Sequence, residues 1–237
     1  MNPGTSGRRT VIAVCGLAVE ARIARGPGVR TVAGGGDAAR LAVLLERALA
    51  GGAAGIISFG IAGGLADELR PGTLLVGRRV VTPQRAWSAH PAWTAALASR
   101  LAGARVVDLA SGPSIVSDTR AKRALRQATG AAAVDMESHV VAALAEAHGL
   151  PFAVLRALAD PAARDLPPAA CAALRDDGSI DASFVLRSLL RAPGQAPMLA
   201  RVAADARRAL RALSRGRRRL GPGLHYPDLG KLVLDVA

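Results

Sequence analysis

The stretches AAVDMESH (residues 132–139) and LRALADP (residues 155–161) decide the fold and contain its candidate chemistry. In the first stretch, an apolar strand runs into Asp135 and Glu137 at the start of a helix. In the second, the next apolar strand runs toward Asp160. Ligands of open α/β sheets bind at the edge where the strands reach their carboxyl ends. We therefore expect carboxylates at one edge, where one acid can hold a sugar and another can protonate a leaving group.

The remaining chain alternates apolar strands with helical patterns, which is typical of an α/β fold. Glycine-rich segments, Gly34–Gly36 and Gly60–Gly64, follow the second and third strands as expected turns, and Asp37 is the expected N-cap of the next helix. The pattern predicts a single α/β domain over residues 10–214, whose central sheet is mixed, mostly parallel, partly closed and flanked by helices. We expect a flexible N-terminus over 1–9 and an extended basic tail over 215–237.

The element boundaries follow from the same periodicity. The predicted strands cover Val11–Cys15, Val29–Ala33, Gly55–Phe59, Thr73–Val81, Arg105–Leu109, Ser114–Val116, Ala132–Val134 and Pro151–Leu155. The predicted later helices cover Pro91–Leu101, Thr119–Gln127, Met136–His148, Asp181–Leu190 and Ala196–Leu213.

The composition of the 237 residues excludes several classes of protein. The formal net charge is +13, but only Lys122 and Lys231 of the 31 basic residues are lysines, and aromatic residues make up 3%. An arginine-biased composition without stacking aromatics argues against nucleic-acid binding. Cys15 and Cys171 are far apart and lack metal-ligand spacing, so we expect no metal, no cofactor and a reduced cytoplasmic setting. No apolar stretch is long enough to span a membrane.

Arginines crowd residues 201–219, and two interpretations of this segment remain open. It is either a solvated helix face or a surface that lies against anionic lipid headgroups. The second interpretation places the protein peripherally at the inner membrane face. The eight arginines are Arg201, Arg207, Arg208, Arg211, Arg215, Arg217, Arg218 and Arg219.

Each candidate acid also has a purely structural interpretation. Asp135 and Glu137 could be acids favoured at a helix N-terminus by the macrodipole. Asp160 could cap the segment before Pro161, and Glu20 could be an ordinary exposed helix residue. Their joint occurrence favours a functional interpretation, because the acids and the glycine-rich loops all follow the ends of apolar strands.

Five motifs occur in the order and spacing of the nucleoside phosphorylase superfamily, which this chain resembles over residues 10–163. This branch holds purine nucleoside phosphorylase, uridine phosphorylase and the methylthioadenosine/S-adenosylhomocysteine nucleosidases. The whole chain is similar to the hopanoid-associated phosphorylases. The resemblance implies an enzyme that cleaves an N-glycosidic bond, and a homodimer. The motifs are GLAVE (16–20), the 34–36 turn, GIAGG (60–64), VDME (134–137) and RALAD (156–160).

The resemblance also implies roles for individual residues. Glu137 would bind the ribose 2′- and 3′-hydroxyls, and Met136 would pack under the sugar. Asp160 would protonate N7 of the departing purine, which requires that burial raise its pKa. Backbone groups near Ile115 and Val116 would face the base. The predicted substrate-binding set is completed by Gly35, Gly63 and Arg156.

The nucleophile is predicted from two positions where phosphorolytic relatives carry arginine. This chain has Glu20 and Ser58 there, and a carboxylate repels phosphate, whereas nucleosidase relatives use a glutamate to activate water. Water is therefore favoured, with phosphate left open as a co-substrate. Two departures from the family pattern are Ile61 in place of a hydroxyl residue and Ala159 in place of a serine. The arginines that could still supply a phosphate site are Arg22, Arg30 and those within 78–85.

These observations predict an enzyme that releases adenine from a 5′-substituted adenosine. The resemblance suggests adenosylhopane as the substrate and hopanoid side-chain synthesis as its setting. Two alternatives stay open. One is a nucleosidase or phosphorylase acting on soluble nucleosides such as methylthioadenosine. The other is a non-catalytic nucleoside-binding or membrane-surface protein.

Overall fold

The computed structural model describes residues 10–172, 179 and 181–227. The strands are β1 (Val11–Cys15), β2 (Val29–Ala33), β3 (Gly55–Gly64), β4 (Leu74–Val81), β5 (Ala86–Ser88), β6 (Arg105–Ser111), β7 (Ala133–Asp135) and β8 (Phe152–Asp160). The helices are α1 (Ala18–Ala24), α2 (Ala38–Leu49), α3 (Pro91–Arg100), α4 (Thr119–Thr129), α5 (Ser138–Ala147), α6 (Pro168–Ala172), α7 (Ala182–Arg191) and α8 (Ala196–Leu220). Short 3-10 helices, Pro193–Gln195 and Pro222–His225, flank α8.

The eight strands form one mixed sheet that closes on itself over part of its length. The strands β3, β8, β4, β6 and β7 form a ring, because β8 pairs with β3 and β4 while β7 pairs with β6 and β3. Parallel β1 and β2 extend the sheet beyond β3, and β5 is an antiparallel edge beside β4. The predicted α/β fold with a partly closed, mostly parallel sheet is confirmed.

Helices cover both faces of the open part of the sheet, because alternate residues of a strand point to opposite faces. Val11, Ala13 and Cys15 of β1 pack in a core with α1, α3 and α8. Ile12 and Val14 of the same strand pack with α2 and α5 on the other side. With both faces covered by helices, the strand ends are the surface where an α/β sheet can bind a ligand.

The register of the ring brings the two motifs together at Gly63. On one side Gly63 pairs with Val134 of β7, just before the Asp135–Glu137 segment. On the other side it pairs with Asp160 of β8, next to an irregularity in the ladder. The carboxyl end of β3 therefore lies between both candidate acid motifs.

One predicted turn and one segment placed beyond a predicted strand are parts of strands in the structure. Gly60–Gly64 is the last half of β3, and Arg156–Asp160 is the last half of β8. Both strands continue because ring closure supplies hydrogen-bonding partners for their backbones, on β8 and β4 respectively. Those partners are distant in sequence, so local periodicity did not reveal them.

Other boundaries also differ from the predictions. The predicted strand Ser114–Val116 is a loop between β6 and α4, and the three-residue β5 was missed because it is too short for a pattern. The predicted extended tail begins inside α8, which continues to Leu220. Leu224 beyond it is fully buried, and its carbonyl accepts a hydrogen bond from the Trp93 indole. The predicted flexible N-terminus, 1–9, and residues 228–237 of the predicted tail lie outside the described residues.

Candidate active site

The Glu20 carboxylate is buried at the start of α1 and is held by backbone amides. Its Oε2 accepts hydrogen bonds from Gly16 N (3.0 Å) and Leu17 N (2.8 Å), and its Oε1 accepts one from Ile61 N (2.8 Å). A carboxylate offers roughly four acceptor positions, so one on Oε1 remains for a further donor such as water. Because residue 61 contributes its main chain, an isoleucine can replace a hydroxyl residue without loss of this contact.

Arg156 lies at the centre of a second group of acids, and its side chain is fully buried. Its Nη2 donates to Glu137 Oε2 (3.0 Å), and its Nε lies 2.8 Å from Asp135 Oδ2. Its Nη1 donates to the carbonyl of Ile61 (3.4 Å), beside the amide that holds Glu20. One guanidinium therefore lies among three acids, Glu20, Asp135 and Glu137, and offsets only part of their negative charge.

Asp135 has the structural role that a helix N-terminal acid was expected to have. Its Oδ1 accepts from Ser138 N (3.0 Å), and the Ser138 hydroxyl also donates to the carboxylate. Ser111 donates to Oδ1 from the neighbouring strand (2.7 Å). Glu137 makes no such contact with the backbone of α5. Of the two acids, Glu137 is therefore the one available to a ligand.

Ser58 joins the two halves of this cluster. Its buried hydroxyl accepts from Arg156 Nη2 (2.5 Å) and is hydrogen-bonded to the Ser138 hydroxyl (2.9 Å). A small hydroxyl residue therefore fills the position where phosphorolytic relatives carry arginine. The cluster is tied across β3, β8 and the start of α5.

Glycines are required where the chain crosses the acids. A Cβ added to Gly16 would lie 2.5 Å from Glu137 Oε1. A Cβ added to Gly60 would lie 2.6 Å from Arg156 Nη1 and 2.7 Å from both Glu20 carboxylate oxygens. These two glycines let the backbone approach charged groups closely, which explains why the motifs carry them.

Asp160 lies at the end of β8 and pairs with Lys122, the lysine of α4. Lys122 Nζ is 2.5 Å from Asp160 Oδ2, and the lysine side chain is 1% exposed. The same ammonium donates to the carbonyls of Pro161 (3.2 Å) and Arg164 (2.6 Å). The other carboxylate oxygen, Oδ1, is buried and has no hydrogen-bond partner.

Burial raises the pKa of all three candidate catalytic acids. Desolvation raises the pKa of Glu20 to about 7, with Arg156 opposing it and Glu137 adding to it. Desolvation likewise raises the pKa of Glu137, against the attraction of Arg156. It also raises the pKa of Asp160, although Lys122 and Arg164 oppose the shift. All three acids therefore hold a proton at higher pH than an exposed carboxyl does.

The structure brings most of the predicted site residues to one edge of the sheet. Glu20, Glu137 and the half-buried Met136 lie around the Arg156 cluster, and Gly63 lies beside Asp160. Along β8, Arg156 and Asp160 are separated by about 13 Å at the usual rise per residue. The catalytic and binding roles assigned to these residues stay predictions.

Two predicted binding residues, Arg156 and Gly35, need a different description. Arg156 is buried and paired with Asp135 and Glu137, so its guanidinium orients Glu137 rather than contacting a ligand itself. The Gly35 amide donates to the Gly16 carbonyl (3.1 Å), so the glycine shapes the turn at φ 69° and its amide is already used. Ile115 is 37% exposed and Val116 is half-buried, both in the loop before α4, and their contact with a base stays a prediction.

Sequence reasoning missed the partner of Asp160. Lys122 is one of two lysines in an arginine-rich chain, and that rarity is a usable signal. At Ser58 the sequence shows only that arginine is absent. It does not show the contacts of the hydroxyl, because their partners are distant in sequence.

The arginines that could have formed a phosphate site mostly have other partners. Arg78 and Arg79 both pair with Asp108, and Arg85 pairs with Glu146. Arg30 donates to the Thr10 hydroxyl (2.9 Å) at the start of β1, away from the carboxyl ends of the strands. Arg22 is exposed on α1. Within the described ranges, no group of three His, Cys, Asp or Glu side chains is arranged to hold a metal.

Residues 4–192 match the family model of the Phosphorylase superfamily. The match covers most of the chain, so the protein belongs to the Phosphorylase superfamily. The predicted superfamily is confirmed, and with it the predicted class of enzyme, which cleaves N-glycosidic bonds. A search of the curated proteins gave no match.

Solved structures of nucleosidases share this fold. S-adenosylhomocysteine nucleosidase of Streptococcus pyogenes, in complex with 5-methylthiotubericidin, is 18% identical, with a TM-score of 0.65 over 92% of this chain and 100% of that one. The 5′-methylthioadenosine/S-adenosylhomocysteine nucleosidase of Helicobacter pylori is 16% identical, with a TM-score of 0.62 over 89% and 98%. Futalosine hydrolase of Helicobacter pylori is 14% identical, with a TM-score of 0.61 over 88% and 98%. At these identities the likeness establishes the fold.

Proposed function

We propose that the protein hydrolyses the N-glycosidic bond of a 5′-substituted adenosine and releases adenine. The observation that carries this proposal is the buried Glu20, whose pKa is raised to about 7 and whose Oε1 retains an acceptor position. A general base works best when its pKa lies near the operating pH. Glu20 would take a proton from water as the water attacks C1′ of the sugar.

The charges at the two ends of the site suit the charges of the reaction. Breaking the glycosidic bond builds positive charge on the ribose and negative charge on the purine. Glu137, in a cluster of three acids around one arginine, would accept the ribose hydroxyls and face the developing cation. Asp160 would give its proton to N7 of the purine while the electrons of the C1′–N9 bond pass to the base.

Water suits this site better than phosphate does. A phosphate beside Glu20 would meet a carboxyl in a cluster whose acids outnumber its one cation, and like charges disfavour such binding. The arginines at 78, 79 and 85 are already paired with acids. We therefore expect hydrolysis, without a cofactor.

Adenine release from a panel of nucleosides tests this function. The panel contains 5′-methylthioadenosine, S-adenosylhomocysteine, adenosine and adenosylhopane, each with and without phosphate. We expect release in phosphate-free buffer, abolished by Glu20→Ala and unchanged by Glu68→Ala, which alters an exposed glutamate. Strict dependence on phosphate would show that the nucleophile is not water. A binding signal without release would favour the non-catalytic alternative.

We propose adenosylhopane as the particular substrate, with ribosylhopane as the product in hopanoid side-chain synthesis. This choice rests on the resemblance to hopanoid-associated phosphorylases. A hopane partitions into bilayers, so the enzyme would work in the cytoplasm at the inner membrane face. Faster adenine release from adenosylhopane in vesicles than from 5′-methylthioadenosine would support it. The reverse preference would favour an enzyme for soluble nucleosides.

Contact with anionic lipid would use the exposed face of α8. No helix of the described residues has the length and apolar composition needed to cross a membrane. Seven of the eight arginines in 201–219 are exposed, at spacings that place them along one face of the helix. The exception is Arg217, which is buried and donates to the carbonyls of Ala24 (2.8 Å) and Gly221 (2.7 Å). That arginine therefore supports the fold rather than a surface.

Vesicle sedimentation tests this contact. We expect salt-sensitive binding to anionic vesicles, little binding to neutral ones, and loss after four arginines of α8 become Gln. A matched variant changes four exposed arginines elsewhere and should still bind. The test set is Arg211, Arg215, Arg218 and Arg219, and the control set is Arg22, Arg25, Arg47 and Arg105. Equal losses in both sets would mean that only net charge matters.

We also propose a homodimer, as the superfamily resemblance implies. Sedimentation equilibrium of the full chain measures its mass directly. A mass of one chain at micromolar concentration would rule the dimer out.

A further inference from the structure

Lys122 is a buried cation in a chain whose basic residues are otherwise almost all arginine. It lies on α4, and its ammonium has three acceptors: Asp160 Oδ2 (2.5 Å), Arg164 O (2.6 Å) and Pro161 O (3.2 Å). An ammonium has three donor positions, so all of them are used. Lysine therefore fits this position, because its compact ammonium donates three hydrogen bonds to the end of β8 and the segment after it.

Asp160 is held at one oxygen and left unpaired at the other. Oδ2 is fixed by Lys122, whereas Oδ1 is buried and has no partner among the described residues. A buried polar atom without a partner is uncommon and calls for an explanation. Gly63 of β3 lies beside this carboxyl, since a Cβ added there would be 3.7 Å from Oδ2. The unpaired oxygen is explained if a ligand supplies its partner.

We propose that Lys122 is a positioning residue that anchors Oδ2 of Asp160, so that Oδ1 carries the proton delivered to N7 of the leaving purine. This inference rests on the proposed function. In the step, the Oδ1–H bond breaks, the N7–H bond forms, and the C1′–N9 electron pair passes to the purine. Asp160 becomes a carboxylate that stays paired with the Lys122 ammonium.

This role also accounts for Ala159. Relatives carry a serine before the aspartate, and this chain has a residue that cannot donate a hydrogen bond there. Lys122 supplies a charged donor from a different element, α4, and charge-assisted hydrogen bonds are roughly twice as strong as neutral ones. The orientation of Asp160 is therefore set by a distant residue rather than by its neighbour in sequence.

Charged and titratable groups from several elements act on Asp160. Burial raises its pKa, Lys122 of α4 and Arg164 of the following loop oppose that shift, and Asp205 of α8 adds to it. Burial raises the pKa of the Cys171 thiol on α6, and the charge of Asp160 adds to that shift. Lys122 is the group in direct contact with the carboxylate. Removing its charge should therefore raise the pKa of Asp160 further, because a nearby positive charge favours the ionised carboxylate.

The decisive experiment compares Lys122→Met with the wild-type protein across pH. Adenine release requires protonated Asp160, so turnover falls as pH rises through the pKa of that acid. In Lys122→Met this alkaline fall should move to higher pH, and turnover at neutral pH should drop about tenfold to a hundredfold because a weaker, less oriented acid remains. Arg123→Met, on the exposed side of the same helix, should change neither quantity.

A purely structural role predicts a different result. Lys122→Met would then melt at a lower temperature but keep the wild-type pH profile and turnover, and that outcome would overturn the proposal. Lys122→Arg retains the charge and should restore most of the profile. In an Asp160→Asn background, Lys122→Met should cause little further loss of turnover. An additional full loss would show that the two residues act independently.

A measurement without turnover separates this proposal from the proposed function. Carbon-13 NMR of the Asp160 carboxyl reports its pKa in the wild-type protein and in Lys122→Met or Lys122→Arg. If no nucleoside is cleaved but the titration moves upward in Lys122→Met alone, the proposed function fails and the control by Lys122 stands. If adenine is released and the titration is the same in all three proteins, the function stands and this inference fails.

Discussion

The candidate site has two ends that differ in charge: the sugar end around Arg156 and the base end around Asp160. Around Arg156, one cation faces three acids, Glu20, Asp135 and Glu137. Around Asp160 the cations outnumber the acids, because Lys122 pairs with Asp160 while Arg164 and Arg208 both pair with Asp205. In the proposed reaction, positive charge develops on the sugar and negative charge on the purine. The difference between the ends therefore gives the site an orientation for its substrate.

The ends also differ in how completely their acids are held. Glu20 is fixed by three backbone amides and Glu137 by a buried guanidinium, so the sugar end is organised before a ligand arrives. Asp160 is fixed at one oxygen and leaves the other unpaired. Charged groups that are already in place stabilise developing charge. A proton donor instead needs one carboxyl oxygen that is free to carry the proton and to face the accepting atom. In the proposed reaction, sugar binding and charge stabilisation therefore belong to one end and proton transfer to the other.

Among the substitutions that compare the two ends, removing the proton donor should have the largest effect. Asp160→Asn keeps the size of the side chain but cannot protonate N7, so we expect turnover to fall by about two to four orders of magnitude. The melting temperature should also fall, because the buried Lys122 loses its counter-charge. Steady-state adenine release and thermal unfolding measure both. Turnover within tenfold of the wild type would assign Asp160 to structure alone.

Neutralising the sugar end should come next. Glu137→Gln removes a charge that faces the developing cation, and we expect turnover to fall by about two to three orders of magnitude, more than binding is weakened. The wild-type protein should also cleave a 2′-deoxynucleoside more slowly than the matching ribonucleoside. Equal rates for the two sugars would contradict the contact between Glu137 and the ribose hydroxyls.

Adding one methyl group at each end should show which end is more tightly packed. Gly16→Ala places a Cβ 2.5 Å from Glu137 Oε1, so the carboxylate must move, and a shift of this kind can cost about a hundredfold in rate. Gly63→Ala meets Val134 Cγ1 at 3.4 Å and Asp160 Oδ2 at 3.7 Å, which are van der Waals distances. We therefore expect a smaller loss at Gly63, measured as kcat/KM. Equal losses would show that the sugar end is no more tightly packed than the base end.

The sequence predicted the elements of this site better than their contacts. The strand and helix pattern placed Glu137 and Asp160 at the strand ends, because apolar strands and helix starts leave local signals. It did not show that β3 and β8 continue through their motifs, since the pairing of Gly63 with Val134 and Asp160 joins segments far apart in the chain. Ring closure is a non-local property, and no local pattern encodes it.

The sequence does not reveal the ion pairs of Arg156 and Lys122 for the same reason. Arg156 was expected to bind substrate, yet it is enclosed by acids from two distant segments, Glu20 of α1 and the Asp135–Glu137 stretch before α5. Lys122 was visible only as a rare residue type, and its partner Asp160 lies 38 residues away. Motifs identify which residues carry chemistry, whereas only packing determines which of them face a ligand and which support the others.

The smallest expected effect is a pH dependence of stability that belongs to the sugar end. The folded-state pKa of Glu20 is about 7, above its usual value of 4.5, so the folded protein binds more protons than the unfolded chain between these values. The stability that Glu20 contributes is therefore fully present below about pH 4.5 and is lost as pH rises toward 7, by at most about 1.4 kcal/mol per pH unit. Urea unfolding at pH 5, 6 and 7 measures this.

Glu20→Gln removes the titrating group and keeps most of its hydrogen bonds. The free energy of unfolding of the wild type should decline relative to that of Glu20→Gln as pH rises from 5 to 7, while exposed Glu68→Gln should follow the wild type. Parallel curves for wild type and Glu20→Gln would mean that the Glu20 carboxyl is not stabilised in its protonated form. The buried acid would then be a fixed charge, and the distinction between a base at one end and an acid at the other would have to rest on Asp160 alone.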